Sequence, residues 1–108
     1  MGSFGAPTLS RMRTNFPARR NASDISPLEA EVMAEQAAAL ADSGRRVEAA
    51  LAALAGSGEP DRPQRLKAAA DAVYGFFIQR EIIGLRDHRG VIEHYAIPRE
   101  VLARLGAV

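Results

Sequence analysis

The chain has 108 residues, the length of one compact domain, and it contains no cysteine. The missing cysteines exclude a disulfide framework, a thiolate metal site and a cysteine nucleophile. No apolar run approaches the roughly 20 residues of a membrane span, and the N-terminus lacks the order of a signal peptide, so we expect a cytoplasmic bacterial protein without membrane contact. Alanine, leucine, arginine and glutamate dominate the composition, which favours an all-α fold.

The net charge of +1 is unevenly distributed along the chain. Residues 1–23 contain four basic and no acidic side chains, whereas residues 24–108 contain ten basic and thirteen acidic ones. We predict a flexible basic arm over 1–24 and a single helical domain over 25–108. The acidic domain argues against a nucleic-acid footprint over the whole fold, although the arm could contact phosphates through Arg11, Arg13, Arg19 and Arg20.

The first helix has a strong start signal and a seven-residue repeat. Ser26 is expected at the N-cap, with Pro27 at N1 and Glu29 returning the capping-box bond. The repeat continues without a slip through Asp42-Ser43-Gly44, which favours one helix over about 27–55 against a hairpin with its turn there. Two rows of the repeat are Met33, Leu40, Val47 and Leu54, and Ala30, Ala37, Gly44 and Leu51.

A second long helix is predicted over about 62–88. The Gly-Ser-Gly-Glu-Pro turn at 56–60 ends the first helix, Asp61 is expected to cap the second, and Gly90 is free to close it. Its second half is apolar over most of its circumference, which indicates that it is surrounded and predicts a helical homodimer. The residues expected to mediate self-association are Met33, Ala37, Leu40, Gly44, Val47, Leu51, Phe76, Phe77 and Ile83.

Charged residues interrupt the apolar second helix. Arg80 and Glu81 fall on the line of Leu66, Val73 and Phe77, where they would be buried. Unpaired buried charges cost several kcal/mol, so these side chains are expected to find partners within the chain or across a twofold axis. The predicted polar network consists of Gln79, Arg80, Glu81, Arg86, Asp87 and His88.

The same residues give little support for catalysis. His88 and His94 are six residues apart, a spacing that does not place two metal ligands on one helical face. There is neither a nucleophile motif nor a glycine-rich phosphate loop. We therefore expect no catalytic residue, no metal and no cofactor. An enzyme built on Arg80, Glu81 and His88 would need the three to converge on one accessible cleft.

Two short helices are predicted at the C-terminus. The first covers 91–95, and Pro98 is expected at N1 of the second, which Gly106 closes. Their apolar spacing is that of a helix-turn-helix, but it also suits two short helices folded back onto a longer one. A nucleic-acid-binding regulator using the arm and residues 91–106 is the alternative function.

Three segments carry a resemblance to a known family: QRE at 79–81, GLRDH at 84–88 and YAIPREVLARLG at 95–106. On these segments the chain resembles a small uncharacterised domain family of α-proteobacteria, over about residues 29–106. The resemblance implies an all-helical fold and carries over no catalytic residue. The sequence thus predicts a non-enzymatic helical interaction or structural protein that forms a homo-oligomer, with a dimer favoured and another protein partner as an alternative.

Overall fold

A computed structural model describes residues 25–106, which form four helices and no strand. The helices are α1 (Pro27–Ala55), α2 (Arg62–Ile82), α3 (Arg89–Tyr95) and α4 (Arg99–Leu102). The predicted all-α class, with two long and two short helices, is confirmed. By its internal contacts the chain divides within α1, between Val32 and Met33, and the packing below concerns residues from Met33 onward. The predicted arm lies outside the described residues, and the boundary at 24/25 stays a prediction.

The start of α1 follows from its local sequence. The Ser26 backbone N–H donates to Glu29 Oε1 at 3.0 Å, and the Glu29 N–H donates to Ser26 Oγ at 3.1 Å. These two bonds are the predicted capping box. The helix then runs unbroken through Gly44, so the hairpin alternative is wrong.

The core is assembled from α1, α2, α4 and the loop before α4. Val47 of α1, Val73 of α2 and Val101 of α4 are completely buried, so three helices meet at these side chains. None of the buried residues between 25 and 106 is polar or charged. The buried apolar residues are Val47, Leu54, Leu66, Ala69, Ala70, Val73, Phe76, Phe77, Ile97 and Val101.

Helix α2 ends six residues earlier than predicted. Gly84 has a φ of 94°, a conformation that glycine adopts at little energetic cost. The Leu85 N–H donates to Arg80 O at 2.9 Å, and the Gly84 N–H donates to Glu81 O at 3.0 Å. These are the two bonds of a Schellman motif. Gly90, which the sequence suggested as the terminator, lies inside α3.

Two predicted details at the other helix ends are also wrong. Asp61 occupies the N-cap position of α2 but makes no side-chain capping bond. Pro98 precedes α4 as its N-cap, with a ψ of 151°, rather than standing at N1. Helix α4 is a single turn. A bidentate ion pair between Arg62 and Glu100 joins it to the start of α2, and Arg62 Nη1 donates to Glu100 Oε2 at 3.0 Å.

Candidate functional site

The charged residues of α2 form a compact network around His88. The Arg80 Nε–H donates to His88 Nδ1 at 3.0 Å, and His88 Nε2 lies 2.9 Å from Glu81 Oε2. A second Arg80 nitrogen, Nη2, donates to the backbone oxygen of Asp87 at 2.9 Å. Residues from the last turn of α2 thus hold the loop that follows it.

The hydrogen bonds define which form of His88 the network requires. Because a guanidinium can only donate, Nδ1 must accept, and Nε2 must then carry the proton that it gives to Glu81. The ring also stacks on Phe77, with centroids 4.1 Å apart and planes 3° from parallel. His88 is therefore fixed on both edges and on one face, and only 13% of its side chain is exposed.

Asp87 and Arg89 form a separate pair on the surface of the same loop. Arg89 Nη2 donates to Asp87 Oδ2 at 2.7 Å and its Nε donates to Oδ1 at 3.0 Å. The hydrogen bonds from Arg89 hold the pKa of the Asp87 carboxyl well below its usual range. This pair leaves the Asp87 carboxylate outside the histidine network.

The predicted polar network is thus only partly assembled. The structure brings together Arg80, Glu81 and His88, and Asp87 joins through its carbonyl oxygen. In the described part of the chain, the side chains of Arg86 and Gln79 hydrogen-bond to no other residue. Both ring nitrogens of His88 are bonded within the chain, so the network ties the end of α2 to the loop that follows it. Residues 25–106 contain no group of three histidine, aspartate or glutamate side chains placed to hold a metal ion.

The outer face of α2 is unexpectedly apolar. Ile82 follows the buried Val73 by nine residues, which at about 100° per residue places it on the opposite side of the helix. We name this surface the α2 stripe. Its members and exposed fractions are Tyr74 (47%), Ile78 (39%) and Ile82 (62%) on α2, and Leu85 (43%) in the turn that follows the helix.

A cleft lies beside the α2 stripe, between α1 and α2. Its volume is about 300 Å³. A Cβ atom added at Gly75 would meet no atom of the described residues within 4 Å, so residues 25–106 leave this side of α2 open. The cleft is lined by Ala39, Asp42, Ser43, Arg46, Asp71, Ala72, Gly75 and Gln79.

Several residues predicted for self-association lie in the core of the single chain instead. Gly44, Val47, Phe76 and Phe77 are buried, and the Tyr95 hydroxyl fills the space at Gly44. Leu40, Leu51 and Ile83 are half-buried, whereas Met33 and Ala37 are exposed. The heptad rows of α1 were therefore in large part a signal for packing within the chain.

The sequence prediction missed the members of the α2 stripe. The signal was present, because Tyr74, Ile78 and Ile82 recur every four residues on the side away from Leu66 and Val73. This signal could not be interpreted from the sequence, because most positions of α2 are apolar. In such a helix the pattern does not indicate which side the rest of the chain covers.

Comparisons with known proteins give a family but no activity. The model of a family of unknown function matches residues 15–108. No curated protein and no solved structure matches the chain. None of the helices in the described region is long and apolar enough to cross a membrane.

Proposed function

We propose that this chain, which belongs to the family of unknown function DUF6665, is a non-enzymatic helical protein that self-associates through the outer face of α2. The observation that carries the proposal is the α2 stripe, four exposed apolar side chains on α2 and in the turn that follows it. The largest apolar patch on a monomeric protein measures about 300 to 600 Å² and is often functional.

The size of the stripe suits a small dimer interface. The exposed fractions of its four residues add up to nearly two whole residues, or about 400 Å² per copy at about 200 Å² for a residue of this size. Since a little over half of an interface is apolar, that patch corresponds to about 700 Å² per copy, close to the roughly 800 Å² of a standard interface.

Sedimentation equilibrium of the wild-type protein and the Ile82→Arg variant tests the proposal. We expect a dimer at micromolar concentration, and a monomer for the variant, because an arginine at the centre of the stripe would be buried without a partner. Ala49→Arg is the matched control, since Ala49 is exposed on α1 and lies outside the stripe. A wild-type monomer at about 100 μM, well above the Kd expected of a standard interface, would refute self-association.

Nucleic-acid binding is the alternative, and its geometric basis is narrow. At about 1.5 Å per residue, the four residues of α4 span only about 6 Å, too short for a recognition helix. Glu100 of that turn is also held by Arg62. The arginine-rich arm lies outside the described residues. Loss of salt-dependent DNA binding on joint replacement of Arg11, Arg13, Arg19 and Arg20 would favour this function over self-association alone.

We also propose a cytoplasmic location and a bacterial, α-proteobacterial source. A chain without cysteine needs no oxidising compartment to fold. The similarity over 79–81, 84–88 and 95–106 supports the source. Fractionation of cells expressing the protein tests the location, and recovery from the periplasm or medium would contradict it.

A further inference from the structure

We propose, resting on the self-association above, that two copies pair with their α2 helices parallel, and that Tyr74 of each copy enters the cleft of the other. The cleft is the one between α1 and α2 that Gly75 and Gln79 line. The partner is thus a second copy of this chain, and each copy contributes a residue to the site on the other.

The cleft is shaped to receive a side chain. Gly75 lies in the middle of α2, where glycine is less favourable than alanine by about 1 kcal/mol. No side chain between residues 25 and 106 occupies the space that the missing Cβ leaves. Elsewhere in the fold, at Gly44, the equivalent space is filled by a tyrosine, Tyr95. The cleft at Gly75 is the comparable space left open on the surface.

The polar groups of the cleft match a phenol. The Gln79 amide is half-buried, and no other described residue accepts or donates a hydrogen bond to it. The Tyr74 hydroxyl likewise has no hydrogen-bonding partner in the described part of the chain, and 47% of Tyr74 is exposed, while the Cδ1–Cε1 edge of its ring lies against Gly106 of the same chain. A tyrosine inserted between Ala72 and Gly75 would bury its ring against small residues and place its hydroxyl within reach of an amide.

The positions of these residues around α2 select the parallel arrangement. Taking Ile78 as the centre, Tyr74 lies about 40° to one side, and Gly75 and Gln79 lie about 60° and about 100° to the other. In a parallel pair the twofold axis runs along the helices, and the Tyr74 flank of one copy meets the Gly75 flank of the other. In an antiparallel pair the axis runs across the helices, and each flank meets the same flank of the other copy. Only the parallel pair therefore places Tyr74 against the partner's Gly75.

Cross-linking tests the arrangement directly, because the natural chain has no cysteine to interfere. Asp71→Cys and Ile82→Cys each place one thiol on the outer side of α2, about 16 Å apart along the axis. In the parallel pair, a short bismaleimide should cross-link each of the two variants into a covalent dimer. In an antiparallel pair it should cross-link at most one of them. Ala49→Cys, exposed on α1, is the control that should not cross-link.

Gly75→Leu tests the cleft itself. The Cβ of the new side chain meets no atom of the described residues within 4 Å, so the monomer is expected to keep its fold, while the leucine fills the cleft and excludes the partner's Tyr74. We expect both Gly75→Leu and Tyr74→Ala to weaken the dimer at least about 30-fold, the effect of losing an interface hot spot.

The possible results separate this inference from the proposed function. A dimer that tolerates Gly75→Leu, or one in which only one of the two cysteine variants cross-links, overturns the parallel pairing and leaves self-association intact. A wild-type monomer in sedimentation overturns both. Cross-linking of both variants together with loss of the dimer in Gly75→Leu supports the inference.

Discussion

Gly44→Ala is expected to destabilise the protein in a way that depends on one atom of Tyr95. A Cβ added at Gly44 would lie 2.8 Å from the Tyr95 hydroxyl oxygen and 3.6 Å from Phe76 Cε1. Alanine in a helix is favoured over glycine by about 1 kcal/mol, whereas overpacking a core costs about 1 to 3 kcal/mol. We therefore expect a net loss of about 1 kcal/mol in the free energy of unfolding.

The Tyr95→Phe background reverses the expected sign. Without the hydroxyl, the closest atoms to the new Cβ are Phe76 Cε1 and the ring carbon Cζ of residue 95, at 3.6 and 3.8 Å, which are ordinary contact distances. Gly44→Ala should then stabilise the protein by about 1 kcal/mol, giving a coupling energy of about 2 kcal/mol between the two positions.

Urea unfolding followed by helical circular dichroism measures all four members of this cycle, with midpoint shifts of about 0.5 to 1 M expected. All variants should carry Ile82→Arg, so that self-association does not contribute. Gly75→Ala is the matched control, because the same substitution meets no atom there and should stabilise by about 1 kcal/mol. Equal effects of Gly44→Ala with Tyr95 and with phenylalanine would refute the close approach of Tyr95 to α1.

Three further substitutions test other parts of the fold. Ala96 has a φ of 53°, a left-handed conformation that glycine adopts more readily than alanine. Ala96→Gly should therefore raise the melting temperature, by an amount equivalent to about 1 kcal/mol in the free energy of unfolding. A lower melting temperature would contradict the left-handed conformation at Ala96. His88→Ala should lower the free energy of unfolding by about 1 to 3 kcal/mol, because it leaves the half-buried Arg80 without its hydrogen-bond acceptor. The control is His94→Ala at an exposed position, which should change the free energy of unfolding by less than about 0.5 kcal/mol. Equal losses in the two variants would refute the network. The hydrogen bond from Arg62 lowers the pKa of Glu100 in the folded protein. The pair therefore contributes its full stabilisation at pH values above the pKa of glutamate in the unfolded chain. This stabilisation is lost as the pH falls through the lower pKa of the folded state. Denaturation of Glu100→Gln should therefore show a stability difference from wild type that disappears in acid, and a difference that persists below pH ~2, well under the ordinary glutamate range, would exclude this linkage.

The sequence predicted the helix starts well because their signals are local. The capping box of Ser26 and Glu29, and the proline near the start of α2, act within one turn of chain and need no tertiary contact to be recognised. The continuous first helix was predictable for a related reason: a seven-residue repeat that keeps its phase through Gly44 is a property of the segment itself.

The end of α2 was not predictable in the same way. Gly84 and Gly90 are both able to end a helix by their local properties. The stacking of His88 on Phe77, with its bonds to Arg80 and Glu81, accompanies termination at Gly84, and these groups come together only when the chain has already turned there.

The sequence alone determined an all-α chain, the starts of both long helices and the presence of apolar residues around most of α2. Only the tertiary structure decided which of those residues are covered. Phe76 lies near Gly44 of α1 and Phe77 stacks on His88, whereas Tyr74, Ile78 and Ile82 remain exposed. The physical reason is that hydrophobicity is not directional. A helix that is apolar all round can bury any side, and the side it buries is chosen by the shape of its neighbours, such as the tyrosine that fits at Gly44.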